Sequence, residues 1–470
     1  VPIISINIYQ LNRLIVKFSI EMNPMLFCRL LPKKTGWESA SQPVSYNLRH
    51  WGVEVECPAQ RQRLAGVLCV DQRRLEMAAV FAVLRQLASE YAQAASLGGQ
   101  GERRQRWLNL NHLRGERPLV LIDQIPWEEM DVDGSLDCQV RDPYWRGVET
   151  NLRQTLYKWR HMPADMVLDP YICLPRPICS SGWGIGVEET LAFSSPETEV
   201  KSHHYINQIR EPEDIAKIHT PQITLDAAEE AAIVETARRV CEGILPFRMV
   251  GMTMHLGIWD SISMWMGVEN CYLELMDRPE MMHQLMETLT RGLIDMVGQL
   301  NALQAFDIHS HICHCSHTYL EDLPASEEAV SANAWAFGLA QLFTSVSPAI
   351  TDEFEVAYMR RVFPLFGAIY YGCCDRLDDR LDVIEKLPQV RKISCSPWSD
   401  RERFAANLDR KRYVMSNKPS PAFLATPSLD EDAIRADLRR TIRAAREHVL
   451  GDDGTLRLVV GGDGERVVGR

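Results

Sequence analysis

"FGAIYYGC", residues 366–373, is apolar and aromatic as far as Tyr371, then turns at Gly372 into the thiols Cys373 and Cys374 and the acid Asp375. A short apolar run that ends on glycine reads as a buried strand. The next stretch, 379–387, spaces its apolar residues as a helix does. "VRKISCSP" (390–397) is again a strand, 400–409 again a helix, and "RYVMSNKP" (412–419) a strand once more. Strand, helix, strand in repetition calls for parallel strands joined by crossover helices.

Upstream, the same reading makes strands of "RPLVLIDQ" (117–124), "ADMVLDPYICL" (164–174), "FRMVGMTMHLGI" (247–258) and "QAFDIHSHI" (304–312), with "HHYINQI" (203–209) as a weaker eighth. Helices are expected at 143–161, 226–242, 279–303, 326–345, 348–364 and 430–450. Asp277 would cap the helix that Pro279 opens, and Ser347-Pro348 would open another. About eight repeats point to a (β/α)8 TIM-type barrel over 116–450. A helical N-terminal extension at 58–115 precedes it, with helical apolar spacing from Leu64 to Leu87. Residues 1–57 receive no role, with the natural start expected at Met22 or later, and 451–470 form a tail unlike the rest.

The chain has 470 residues, a net charge of −12, 46% hydrophobic and 24% charged residues. An excess of acid argues against a general nucleic-acid surface, which must neutralise phosphates. No run reaches the roughly 18–20 apolar residues that span a bilayer. Thirteen cysteines without a secretory signal read as reduced thiols of a cytoplasmic protein.

Barrel enzymes place their chemistry at the C-terminal ends of the strands. Those ends carry Asp123, Asp169, His255, His309 and His311, Tyr371 with Cys373 and Cys374, Ser394 and Ser396, and Ser416 with Lys418. Period-two alternation puts only one of Cys373 and Cys374 in a pocket, and Cys373 keeps phase with Tyr371; buried structural thiols are the other reading. "DIHSHICHCSH" (307–317) holds four histidines and two cysteines. His311 and Cys313, spaced i,i+2, would face one side of an extended chain and suit zinc, or the stretch is a solvated loop. "DQIPWEEM" (123–130) offers Asp123 and Trp127 to a substrate, with Glu128 and Glu129 as helix-start charges. Trp259 and Asp260 form an aromatic wall beside a carboxylate, or a rim and a cap. "SSGWGIG" (180–186) reads as a mobile loop over the pocket, and the runs "QRQRL", "ERRQR" and "DRERF" as solvated helix faces.

Together, "RPLVLIDQIPWEEM", "WDSISMWMGVENCYLELMDRPEMMHQLMETL", "YYGCCDRLDDRLDVIEKLP" and "ISCSPWSDRERFAANLDRKRYVMSNKPSPAFLA" resemble the uroporphyrinogen decarboxylase superfamily, in the branch near the corrinoid-dependent methyltransferases. The resemblance spans roughly 60–450 and implies the same barrel. It implies a methyltransferase acting with a corrinoid on a partner protein, with zinc holding the accepting thiol. In that pattern a His-x-Cys ends a late strand; here Tyr371 replaces the His, and no Cys follows Leu450. The decarboxylase's arginine-rich first strand end is acidic here, so uroporphyrinogen is not expected as substrate.

The expectation is therefore an enzyme with Asp169, Tyr371, Asp123 and His255 as acid/base groups. Trp127, Trp259, Asp260 and Lys418 would bind a small-molecule substrate, and Cys373, His311 and Cys313 would ligate metal. The alternative is a metal-independent decarboxylase or lyase acting on a small carboxylic acid. A homodimer is the expected assembly.

Overall fold

The computed structural model describes residues 4–8, 70–123, 125–193, 201–323, 326–409, 412–423, 425–426, 428–447, 457–458 and 466–467. It is a mixed α/β molecule of parallel sheets and helices. The parallel strands are, in chain order, β1 (Ile4–Ile8), β2 (Leu119–Ile122), β3 (Ile172–Pro175), β4 (Phe247–Val250), β5 (Trp335–Gly338), β6 (Ala368–Tyr371), β7 (Val390–Cys395) and β8 (Val414–Asn417). Six form one sheet in the order β5-β6-β7-β8-β1-β2, and β3 pairs with β4. Isolated parallel bridges join Met252 to Phe306 and His255 to Phe337. β1, in a segment given no role, is hydrogen-bonded between β8 and β2.

Several strand expectations need correction. "HHYINQI" is not in the parallel sheets, because Lys201–Tyr205 pairs antiparallel with Glu189–Phe193. The run 304–312 contributes only the bridge at Phe306 and, at its end, a two-residue hairpin arm, Ile312–Cys313. The expected helix 326–345 is instead two short 3-10 turns around β5. "WAFG" is buried on both faces, so it lacks the alternation that marks a half-exposed strand.

The helices follow their capping signals. Helix Pro143–His161 starts where Asp142 accepts the Trp145 N–H at 3.1 Å, and it ends on Lys158, Arg160 and His161, complementary to the helix dipole. Asp226 likewise accepts from Ala228 and Glu229 at the start of Ala227–Cys241. Asp277 is not a cap: it ends the helix Val268–Asp277, and Pro279 follows Arg278 directly.

Alternation splits the six-stranded sheet into two faces. Tyr371, Ile393 and Met415, in register, join the large apolar core with Trp259, Trp265 and the Leu/Met face of helix Pro279–Ala302. Fully burying each such side chain stabilises by about 1.5–3 kcal/mol. The opposite face presents Phe337, Tyr370, Lys392 and Val414, also in register, and then Ser394 beside Ser416. Polar groups on a buried face need partners, and the site supplies them. Among the described residues no helix is long and apolar enough to cross a membrane.

Candidate functional site

A cavity of about 340 Å³ lies beside the ends of β2, β3 and β4, lined by Asp123, Asp169, Arg176, His255, Asp307 and His314 among others. Of the expected acid/base groups, it gathers Asp123, Asp169 and His255. Asp169 precedes β3 rather than ending it, and it is held from outside the strands. Arg104 on helix Gln100–Asn111 bonds Oδ1 at 2.7 Å, and the Tyr319 hydroxyl donates to Oδ2 at 2.9 Å. Asp123 Oδ1 lies 3.9 Å from the Lys158 ammonium.

His255 and Asp260 form a second polar pair. Nδ1 of His255 accepts the Gly257 N–H at 3.3 Å, which leaves the ring proton on Nε2, 3.9 Å from Asp260 Oδ2. Burial holds His255 down to about 4, and burial together with Asp375 and Cys373 pushes Asp260 up to about 7. At neutral pH the imidazole is uncharged and the carboxyl is poised to carry a proton. Their side chains are 25% and 26% exposed, so a substrate or water can reach the space between.

"DIHSHICHCSH" is not a solvated loop, since Cys313, His314, Cys315, Ser316 and His317 are buried. Its Ile312–Cys313 and Ser316–His317 arms pair antiparallel and lie against the polar face of the sheet. His311 and His314 turn at φ 50° and 51°. Cys313 and Cys315 are buried with Trp335, Phe337 and Tyr370. His314 stacks on Phe337 at 4.2 Å, and its Nε2 lies 3.0 Å from Lys418 Nζ. His317 is fixed on both sides: Nε2 accepts the Val167 N–H at 3.2 Å, and Nδ1 donates to the His311 carbonyl at 3.1 Å. Only a neutral ring does both, and burial drives its pKa down to about 3. Lys392 donates to Ser316 Oγ at 2.5 Å and to the His317 carbonyl at 2.7 Å, between the rings of Trp107 and Trp335. Burial pulls this lysine down to about 7, opposed by the neighbouring thiols of Cys313 and Cys315.

Cys313 and Cys373 lie in one cluster on the sheet face, with Cys374 and Lys418 beside Cys373, whereas the His311 ring packs against Tyr319 at 4.6 Å. Among the described residues no three His, Cys, Asp or Glu side chains are arranged to hold a metal ion. Lys418 is buried beside the thiols of Cys315 and Cys373.

Other expected site residues also stand elsewhere. Tyr371 is on the helix-facing side, 3.4 Å from Glu355, because Gly372 at φ 88° breaks the alternation that would have aligned it with Cys373. Trp259 is fully buried and donates to the Phe354 carbonyl at 3.2 Å. Trp127 packs edge-on against Tyr157 at 5.9 Å, in a small cluster of its own. The side chains of Glu128 and Glu129 lie outside the described residues, as does "QRQRL". Lys418 is buried and bonds the Cys373 carbonyl at 2.9 Å, so it holds backbone as well as facing His314. The loop at 180–186 is anchored: a Cβ at Gly292 would come within 2.4 Å of the Trp183 ring.

Arg104, His314, Tyr319 and Lys392 were not anticipated. Arg104 belongs to "ERRQR", whose helix also sends Trp107 Nε1 to the Asp165 carbonyl at 2.7 Å and Asn111 to the Tyr319 carbonyl at 2.8 Å. "DRERF" is likewise not wholly solvated, since Arg401 is buried against Asp437. A lysine within the apolar run "VRKISC" was the one visible signal. No family model matches the chain, and no curated protein matches it.

Proposed function

We infer that the chain is a metal-independent lyase of the decarboxylase type, acting on a small carboxylic acid in the cavity beside His255. The observation that carries this reading is the His255–Asp260 pair, a neutral imidazole at the cavity wall with a carboxyl 3.9 Å away that is pushed up to about 7 and so exchanges its proton near neutral pH. The parallel strands and the bridges at Met252–Phe306 and His255–Phe337 fit a (β/α)8 barrel whose strand ends surround that space.

Lys158 receives the substrate's spectator anion, while the carboxylates Asp123 and Asp169 disfavour keeping a second negative charge nearby. The bond to the departing carboxylate breaks, carbon dioxide leaves, and its electron pair stays on the substrate carbon. The Nε2–H of His255 stabilises the developing oxyanion, and Asp260 returns a proton to carbon. Such chemistry needs a substrate with its own β-carbonyl or conjugated ring to spread the charge. The test is release of labelled carbon dioxide from a panel of such acids. Turnover that persists in strong chelator and is lost in Asp260→Asn supports the reading, and turnover abolished by chelator overturns it.

A second reading, methyl transfer to or from a corrinoid on a partner protein, rests on the thiols Cys373 and Cys374 beside Lys418. A change in the visible spectrum of methylcobalamin on mixing, absent in Cys373→Ser, would favour it.

A further inference from the structure

The turn after β6 carries two adjacent thiols on a backbone held from three directions. Cys373 Sγ and Cys374 Sγ are 3.7 Å apart. The Cys373 N–H donates to Asp375 Oδ1 at 2.6 Å, and its carbonyl accepts from Lys418 Nζ and Ser394 Oγ, both at 2.9 Å. Gly372 is required just before, since at φ 88° an added Cβ would meet Leu377 at 2.7 Å. Cys373 is 7% exposed while Cys374 is partly exposed, so one thiol meets solvent and the other waits behind it.

We propose that Cys373 and Cys374 form a vicinal dithiol modification site, oxidised by peroxides to a disulfide and able to chelate trivalent thiophilic species. This goes beyond the lyase reading and does not depend on it. In the first step the Cys374 sulfur attacks a peroxide oxygen, the O–O bond breaks, and water leaves behind a sulfenic acid. The Cys373 sulfur then displaces the sulfenic oxygen as a second water and forms the S–S bond. The two thiols lose two protons and two electrons in all, and hydrogen peroxide becomes two waters. Lys418 Nζ, 2.9 Å from the Cys373 carbonyl, holds in place the residue that attacks in the second step. Asp375, Ser394 and Lys418 fix the turn that presents the two sulfurs.

The full-length protein, purified under reducing conditions, is treated with hydrogen peroxide and separately with phenylarsine oxide, then alkylated, digested and mapped by mass. In the wild type the peptide carrying both residues should lose two hydrogens, resist alkylation until reduced, and carry one arsenical bridging both sulfurs. Cys374→Ser should show neither change on that peptide. Alkylation of both thiols after peroxide, a crosslink from Cys373 to a different cysteine, or an arsenical retained by Cys374→Ser would overturn the proposal. The wild-type map decides even if the variant fails to fold.

Discussion

Arg104 Nη2 lies 2.7 Å from Asp169 Oδ1, and the Tyr319 hydroxyl donates to the other carboxylate oxygen at 2.9 Å. A carboxylate at the cavity wall is thus oriented by a helix from the N-terminal extension and by the chain just after the histidine-rich hairpin. Arg104→Met is expected to lower kcat/KM on the order of 10- to 100-fold, because a misoriented cavity group loses the geometry it was held in. The Arg104 side chain is 38% exposed, so thermal stability should change little by comparison. Parallel kinetics and melting curves check this; a large loss of stability with unchanged kinetics would refute it.

The His255–Asp260 pair sets a pH profile. Asp260, pushed up to about 7, must hold its proton to act, so kcat/KM should fall as pH rises above 7. His255, held down to about 4, stays uncharged through the working range, which places any acidic limb near 4. Asp260→Asn should remove the basic limb along with most of the activity. A basic limb that survives in Asp260→Asn would assign it to another group.

His317 links stability to acid. Its folded pKa of about 3 lies below the ordinary 6.5, so between these values the unfolded chain binds a proton that the folded chain does not. Its contribution is full above 6.5 and is lost as pH falls toward 3, at up to about 1.4 kcal/mol per pH unit. Denaturant unfolding of wild type and His317→Gln across pH 4–7 measures the difference. The variant should be less stable at pH 7, and the gap should narrow on acidification.

Lys392 acts at the other end of the scale. Lys392→Met leaves the Ser316 hydroxyl and the His317 carbonyl short of a donor, a cost of about 1–3 kcal/mol. With its folded pKa pulled down from 10.5 to about 7, the unfolded lysine holds a proton that the folded one sheds between those values. Wild-type stability should therefore gain on the variant as pH rises from 7 to 10.5. Unfolding measured at pH 7 and pH 9 tests the sign.

Strands β6, β7 and β8 and the helices Pro143–His161, Pro279–Ala302 and Glu431–Glu447 were legible in the sequence, because burial at period two or 3.6 and capping residues are local signals. β5 was not: a strand buried on both sides carries no alternation. The site divides in the same way. Asp123, Asp169 and His255 were marked by their place at or beside the ends of apolar runs, and they do line one cavity. Tyr371 was misassigned because one glycine with positive φ reverses which face the chain presents, and no spacing rule registers a single backbone angle.

The sequence by itself determined the alternation of strand and helix, the acid-rich strand ends and the concentration of histidine and thiol at 309–317, since these rest on residue type and order. Only the tertiary structure decided what those residues do. Arg104 and Asp169 are brought together across 65 positions, His317 and Val167 across 150, and Lys418 and His314 across 104. Burial then sets the charge of His317: desolvated between the Val167 N–H and the His311 carbonyl, its imidazole becomes a neutral strut.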